Sequence, residues 1–296
     1  MITWRRVASD AQAVEDVLRG SAAVAFPRDF PLPPSLTSRP AYIRQFELLD
    51  IQGIFPNPTV APFDDRRVRQ ALNYAVDRHA VRTLEGVQSE SATGTCQLIP
   101  PGIPGHRPYC PYQQGPADGP YQGPDLAKAR ALVTESGTTG IPIVMYTGPR
   151  PDTKARAEYT ATVLRDLGYQ VTVAPIQPDT PRSVTDAYQI QSLPGWLPDY
   201  PLPGNYYDAA AGCGAAVWAP YCNRDIQALA DRARSLRRTD PTQSLALWAQ
   251  VDRVLTDDAA LVPMINRVAT VVVSPQVGNV INRDGFGPLL DQMWLQ

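Results

Sequence analysis

An α/β fold is the architecture this sequence predicts, and three observations predict it. Short apolar runs alternate with stretches of helical periodicity from the first residues onward. Most of the helical stretches begin at a side chain able to cap them. No internal repeat, Gly-X-Y pattern or sustained heptad points to a solenoid, collagen or a coiled coil. The chain has 296 residues, 44% of them hydrophobic and 19% charged, so it can bury a sizeable core and exceeds one ordinary domain. Two lobes, or part of something larger, are expected. A net charge of −2 argues against a basic nucleic-acid binder.

The elements follow in order. Ile2–Val7 reads as a strand, and Ser9 or Asp10 caps a helix that Gly20 ends. Ala22–Phe26 is a second short strand. After the proline-rich turn at Pro31–Pro34, Ile43–Phe55 is extended, with a break near Asp50. Asp64 and Asp65 cap the clearest helix, in which Val68, Ala71, Leu72, Ala75 and Val76 form one apolar stripe. Glu90–Gly123 reads as a long loop. Helices from Asp125 to Ser136 and from Thr153 to Leu167, stopped by Gly137 and Gly168, precede strands Ile141–Tyr146 and Tyr169–Ala174. This βαβ rhythm predicts a mixed sheet. Asn223 caps a helix with Ile226, Leu229, Ala233 and Leu236 on its inner face, and Asp240-Pro241 opens another with Leu247, Trp248, Val251, Val254 and Leu255. Leu261–Ile265 and Ala269–Val273 close as strands.

Four cysteines fall in two close pairs, Cys96 with Cys110 and Cys213 with Cys222, both in Gly/Pro-rich loops. Two disulfides in an oxidising compartment are predicted. The alternative, a metal site through His106, matches no common zinc spacing. Enzyme signatures are missing: there is no nucleophile elbow, Walker loop, zinc helix or dinucleotide fingerprint. His79 at a helix end and His106 in a loop have no evident nucleophile beside them, so neither catalysis, a resident metal nor a cofactor is expected. No apolar run reaches the roughly 18–20 residues of a membrane-spanning helix; Asn266 and Arg267 interrupt the most apolar stretch. The first residues contain no apolar h-region, so no signal peptide is read there.

Most carboxylates sit at helix starts, where capping explains them. Asp199 does not. It lies in Leu193-Pro-Gly-Trp-Leu-Pro-Asp-Tyr-Pro, a proline-stiffened loop with Trp196 and Tyr200 as neighbours. A carboxylate fixed beside aromatic faces suits an ammonium group, although residue chemistry alone favours a solvated Asp on a rigid surface loop. Tyr188, Trp196, Tyr200, Tyr206, Tyr207, Trp218 and Tyr221 cluster in the same region, as a concave binding wall or as a lobe core.

The segment Ala61-Pro-Phe-Asp-Asp-Arg-Arg-Val-Arg-Gln-Ala-Leu-Asn-Tyr-Ala-Val-Asp-Arg resembles the signature helix of bacterial family 5 extracellular solute-binding proteins, the oligopeptide- and dipeptide-binding proteins of ABC importers. Pro124-Asp-Leu-Ala-Lys-Ala-Arg-Ala-Leu-Val, Leu164-Arg-Asp-Leu-Gly-Tyr-Gln-Val, Gly195-Trp-Leu-Pro-Asp-Tyr-Pro and Asp257-Asp-Ala-Ala-Leu-Val-Pro-Met follow in the family's order. The resemblance implies a two-lobed periplasmic-binding-protein-like fold of class II type, of which this chain is the C-terminal portion, with the N-terminal part of lobe one missing. It implies partial lobe one over 1–78, lobe two over 79–267 and a return to lobe one over 268–296. It implies a non-enzymatic, extracytoplasmic protein that binds a peptide or other small cationic solute and docks to ABC permease subunits, with no nucleic-acid partner. By the match, Asp199 receives a ligand α-amino group and Trp196 and Tyr200 stand at the cleft wall. Tyr146, Thr147 and Arg150 face the cleft by the same analogy. Some members carry an Arg for the ligand carboxylate where this chain has Leu193. Impaired closure and exposed apolar surface are further expectations of a partial lobe one. Two alternatives stay open: a diverged sensor module without transport, and a hydrolase on a similar scaffold.

Overall fold

The computed structural model describes residues 2–27, 36, 38–84, 93–119, 121–177, 188–214 and 220–296. The expected turn at Pro31–Pro34, the start of the Glu90–Gly123 loop and Trp218 lie outside these residues. Two sheets organise the rest. The smaller has three strands in the order β1 (Val24–Ala25), β9 (Val268–Val273), β2 (Ile43–Glu47), all antiparallel. The larger is mixed, as the βαβ rhythm predicts. Its order is β4 (Thr93–Gly94), β8 (Val262–Asn266), β3 (Gln52–Pro56), β7 (Ile190–Ser192), β5 (Pro142–Thr147), β6 (Gln170–Pro175). There β5 runs parallel to both β6 and β7, and the remaining pairs are antiparallel. Two further short hairpins, Val277–Gly278 with Trp294–Leu295 and Asn282–Arg283 with Gly287–Pro288, finish the chain.

Helices form where the caps and stripes require them. Ser9 accepts the Gln12 N–H to start α1 (Asp10–Leu18), and Asp65 accepts the Arg67 N–H to start α2 (Arg66–Ala75). The α2 stripe Val68, Ala71, Leu72, Ala75 is buried in one cluster with Ile143 and Met145 of β5. A short helix α3 (Arg78–Leu84) follows at once. Asp125 accepts the Lys128 N–H at the head of α4 (Leu126–Ser136), and Gly137 ends it at φ +68°. Asp125→Ala is expected to cost about 1 kcal/mol in chemical denaturation, since that N–H would be left to water. Pro151 opens α5 (Pro151–Asp166), Pro203 opens α6 (Pro203–Ala210), Asn223 caps α7 (Arg224–Leu236) and Asp240 caps α8 (Pro241–Asp257). The last two pack as a hairpin around Ile226, Ala230, Ala233, Trp248, Val251 and Leu255.

The sheets define two bodies, and the chain crosses between them twice, at 48–51 and at Arg267. β3 and α2 pack with the larger body, because Ile54, Phe63, Val68 and Leu72 are buried against β5 and β8. The expected strand Ile2–Val7 forms no ladder with any described residue; a strand needs a neighbour to pair with, and here Arg5 ties the segment to Asp16 at 2.6 Å. The small sheet buries Val272 against Val14 and Val17 of α1. Its other face, Val271 and Val273, is buried beneath Phe26, Phe46 and Met293, which are themselves partly exposed. Trp4 (71% exposed) packs beside Phe26, and Trp294 and Leu295 are exposed.

Both cysteine pairs are bonded, Cys96 to Cys110 and Cys213 to Cys222. Among the described residues no cluster of His, Cys, Asp and Glu could hold a metal ion, and no helix is long and apolar enough to cross a membrane.

Candidate functional site

Parallel strands β5 and β7 end together, with Thr147 opposite Ser192. The loops that leave them, 148–150 and 193–202, emerge from the same edge of the sheet, where α/β proteins form ligand sites. The two loops are tied: the Gly148 N–H donates to the Ser192 carbonyl (3.1 Å), and the Ser192 hydroxyl donates to the Thr153 carbonyl (2.9 Å).

The second loop carries Trp196, Asp199 and Tyr200. It is docked on the first inter-sheet crossing by a reciprocal backbone pair, Trp196 N–H to Ile51 O and Ile51 N–H to Trp196 O, both 3.0 Å. Asp199 is exposed and is held from behind by Asn205, a buried residue in the first turn of α6. The Asn205 Oδ1 accepts from the Trp196 indole Nε1–H (2.7 Å) and from the Asp199 N–H (3.1 Å), and its Nδ2 donates to the Asp199 carboxylate (3.2 Å). One amide thus orients an indole and an exposed carboxylate. A carboxylate held in this way can accept hydrogen bonds from a cation. Asn205 was not among the residues the sequence singled out. An Asn just inside a proline-opened helix, directly after the aromatic loop, is the only signal that marks it.

The remaining expected residues divide. Tyr200 is exposed and Trp196 half-buried on the loop. Thr147 is buried and turns its hydroxyl onto the Gly148 carbonyl (3.3 Å). Successive residues of a strand point to opposite faces, so Tyr146 stands on the side away from Ile143, Met145 and Thr147. Arg150, half-exposed, donates from Nε to Asp152 (3.0 Å) and from Nη2 to its other oxygen (3.2 Å). Those contacts hold the Asp152 carboxyl below its usual range against the opposing effect of burial. Of the aromatic cluster, Tyr188, Tyr206, Tyr207 and Tyr221 are core residues; among its described members, Trp196 and Tyr200 are left to form a wall. His106 is tucked under the first disulfide loop with Nδ1 2.8 Å from the Ile99 carbonyl, and burial lowers its pKa. His79 lies beside the Tyr121 ring at the start of α3.

A groove of about 380 Å³ lies next to the loop, lined by Tyr200, Leu202, Pro203, Arg234, Leu245 and Trp248 among others. Arg234 is committed there to Asp208 and Asp231 and stacks over Tyr207 and Trp248.

Comparison with known proteins gives this geometry its context. Heme-binding protein A of Haemophilus influenzae is 27% identical over 241 residues, 77% of this chain and 41% of its own length. Glutathione-binding protein GsiB of Salmonella choleraesuis is 24% identical over 296 aligned residues, 89% of this chain and 52% of its own length. The solved structure of clavulanic acid biosynthesis oligopeptide binding protein 2 superposes with a TM-score of 0.81 at 21% identity, over 97% of this chain and 54% of that one. That likeness shows a periplasmic-binding-protein fold, and the chain spans about half the length of the relatives it matches. Residues 1–218 match the family described as bacterial extracellular solute-binding proteins, family 5 Middle, and the chain belongs to that family.

Proposed function

We propose that this chain is a ligand-binding portion of the substrate-binding component of an ABC importer, working outside the cytoplasm and taking peptides or similar small cationic solutes between its two bodies. In this reading residues 2–47 with 268–296 contribute to lobe one and residues 52–266 form lobe two. Ligand contacts on both lobes favour the closed arrangement, which then docks to membrane permease subunits. The observation that carries the reading is the Asp199 carboxylate, exposed, braced by Asn205 and set beside the Trp196 indole and the Tyr200 ring. An α-ammonium group would gain an ion pair and a cation–π contact there at little ordering cost, because the loop is already fixed. Heme, glutathione and oligopeptides name the relatives' ligands, and the family membership supports transport over catalysis. The Arg150–Asp152 pair beside Thr147, with Tyr146 on the strand's other face, borders the same edge in this reading.

The test is thermal unfolding with and without a mixed pool of di- to pentapeptides. A ligand at a hundredfold its Kd stabilises by about 2.7 kcal/mol, so a clear upward shift is expected. Asp199→Ala, on an exposed loop, should unfold as the parent does and lose that shift. No shift in the parent would sink the peptide reading; a shift that survives Asp199→Ala would remove the ammonium from this carboxylate.

A further inference from the structure

Beneath the Trp196 turn, five side chains from three separated segments close a ring. Asp50, fully buried on the first crossing, accepts from the Arg267 N–H (2.8 Å), from Arg267 Nε (2.6 Å) and from Gln52 Nε2 (2.8 Å). Gln52 Oε1 accepts from Arg156 Nη1 (3.0 Å). Arg156 Nη2 lies 3.7 Å from Asp152 Oδ2, and that oxygen lies 3.9 Å from Arg267 Nη1. The members come from the outward crossing (Asp50, Gln52), the return crossing (Arg267) and the first turns of α5 (Asp152, Arg156). Arg156, like Asp50, is fully buried.

Two features make the ring more than a stabilising cluster. First, the crossings are clasped through it: the Leu48 N–H also donates to the Arg267 carbonyl (3.1 Å), and Asn266 Nδ2 to the Asp50 carbonyl (2.7 Å). Leu49, between them, holds a left-handed φ of +53°, a conformation a leucine adopts at a cost and only where its surroundings enforce it. Second, the ring reaches the ligand loop, since the same Gln52 Oε1 accepts the Gly195 N–H (3.0 Å). The Gln52 amide has no freedom to turn over. Its nitrogen faces a carboxylate and its oxygen faces a guanidinium and a backbone N–H, and reversing it would set like against like at each. Buried charge networks of this kind add little net stability and instead select one arrangement over its alternatives.

We infer that Gln52 and Arg156 are positioning residues of the ligand loop, which hold the Gly195–Trp196 turn in step with the two inter-sheet crossings. A change in the angle between the two sheets then reaches Trp196 and Asp199 through the ring, and occupancy of the loop reaches the crossings by the same path. This coupling rests on the reading of residues 193–200 as the ligand loop.

The experiment compares Gln52→Leu with Gln52→Glu in the full chain. Glutamate keeps the oxygen that Gly195 and Arg156 use and, read at a pH where it is protonated beside the Asp50 carboxylate, keeps a donor to that carboxylate as an O–H; leucine keeps only the bulk. Spin labels on Glu15→Cys and Glu158→Cys, both exposed and one on each body, report the inter-body distance. The native cysteines are in disulfides and do not take the label. The Trp196 indole N–H resonance, identified by its loss in Trp196→Phe, reports the loop. Gln52→Leu is expected to broaden the distance distribution and shift the indole resonance, while Gln52→Glu leaves the resonance near its native position. Should Gln52→Leu not fold cooperatively, Arg156→Lys, which keeps the charge and loses the Nη1 contact, is expected to give the same two changes. Unchanged distances and resonance in a folded variant, or an equal shift in leucine and glutamate variants, would overturn the inference. Both readouts are made without ligand. Broadening together with no peptide-induced thermal shift in the parent therefore keeps the coupling and discards the peptide reading. A peptide-induced shift with unmoved distances and resonance does the reverse.

Discussion

Gly195→Ala is expected to lift the 193–202 loop from the crossing on which it sits and to cost about 2–3 kcal/mol. A Cβ at this position would lie 1.8 Å from the Ile51 carbonyl oxygen and 2.6 Å from Gln52 Nε2. Neither neighbour can yield cheaply. The Ile51 oxygen already accepts the Trp196 N–H, and Gln52 is pinned on both sides of its amide. The turn must therefore move, and with it go the Ile51–Trp196 backbone pair and the Gly195 bond to Gln52. Urea denaturation would measure the loss of stability, and the Trp196 indole resonance would show the displaced loop. Gly137→Ala is the control. It sits at φ +68° with open space around it, so it should cost about 1 kcal/mol through backbone strain alone and leave Trp196 undisturbed. Equal effects of the two substitutions would mean that the close approach at Gly195 is relaxed easily and does not hold the loop.

Asp252→Ala is expected to cost still more, about 3–5 kcal/mol. This carboxylate is 1% exposed in the middle of α8. It accepts the backbone N–H groups of Leu98 (3.0 Å) and Ile99 (3.2 Å) and the Gln97 side chain (2.7 Å). Gln97 in turn holds the Arg107 carbonyl and the Tyr109 N–H, so one side chain anchors the whole Cys96–Cys110 loop. Alanine would strand two buried donors.

Burial pushes the Asp252 carboxyl up to about 7, against the three N–H groups that favour its ionised form. The folded value thus lies above the unfolded one of about 4. Between them the folded state holds the extra proton, so this group's stabilisation is complete below about pH 4 and is lost as pH rises to about 7. The difference is at most about 4 kcal/mol. His106, whose pKa is lowered by burial, has the opposite sign: its neutral ring favours the fold, and stability falls as pH drops below its unfolded value of about 6.5. The informative quantity is therefore the parent's pH–stability curve minus that of Asp252→Asn. That difference should slope downward from pH 4 to 7; a flat difference would show that the carboxyl ionises in the fold as readily as in the unfolded chain.

The elements that could be read in advance share a local cause. Asp65, Asp125, Asn223 and Asp240 cap the helices they precede, and the stripes from Val68 to Ala75 and from Trp248 to Leu255 are buried as their spacing requires. Cap and stripe both act within a turn or two of chain, so composition and spacing carry them. Elements with no local signal were not foreseen. Strand β7 has only three residues and takes its conformation from β3 and β5 on either side. Helix α6 buries residues around most of its circumference and shows no stripe. Ile2–Val7 has the opposite fate, since strand propensity makes no strand without a partner, and it pairs with none among the described residues.

The candidate site divides along the same line. Asp199, Trp196 and Tyr200 stood out because proline and aromatic residues concentrate around them in one short loop, and the family motif lies there too. Their supports did not. Asn205 looks like an ordinary helix-start residue, and Asp50, Gln52, Asp152, Arg156 and Arg267 are single polar residues up to 217 positions apart. By itself the sequence determined the fold class, the caps, the core stripes, the cysteine pairing and the candidate loop. Only the tertiary structure decided which polar side chains meet beneath that loop, because a buried charge is tolerated only where distant partners converge on it, and convergence belongs to the path of the whole chain.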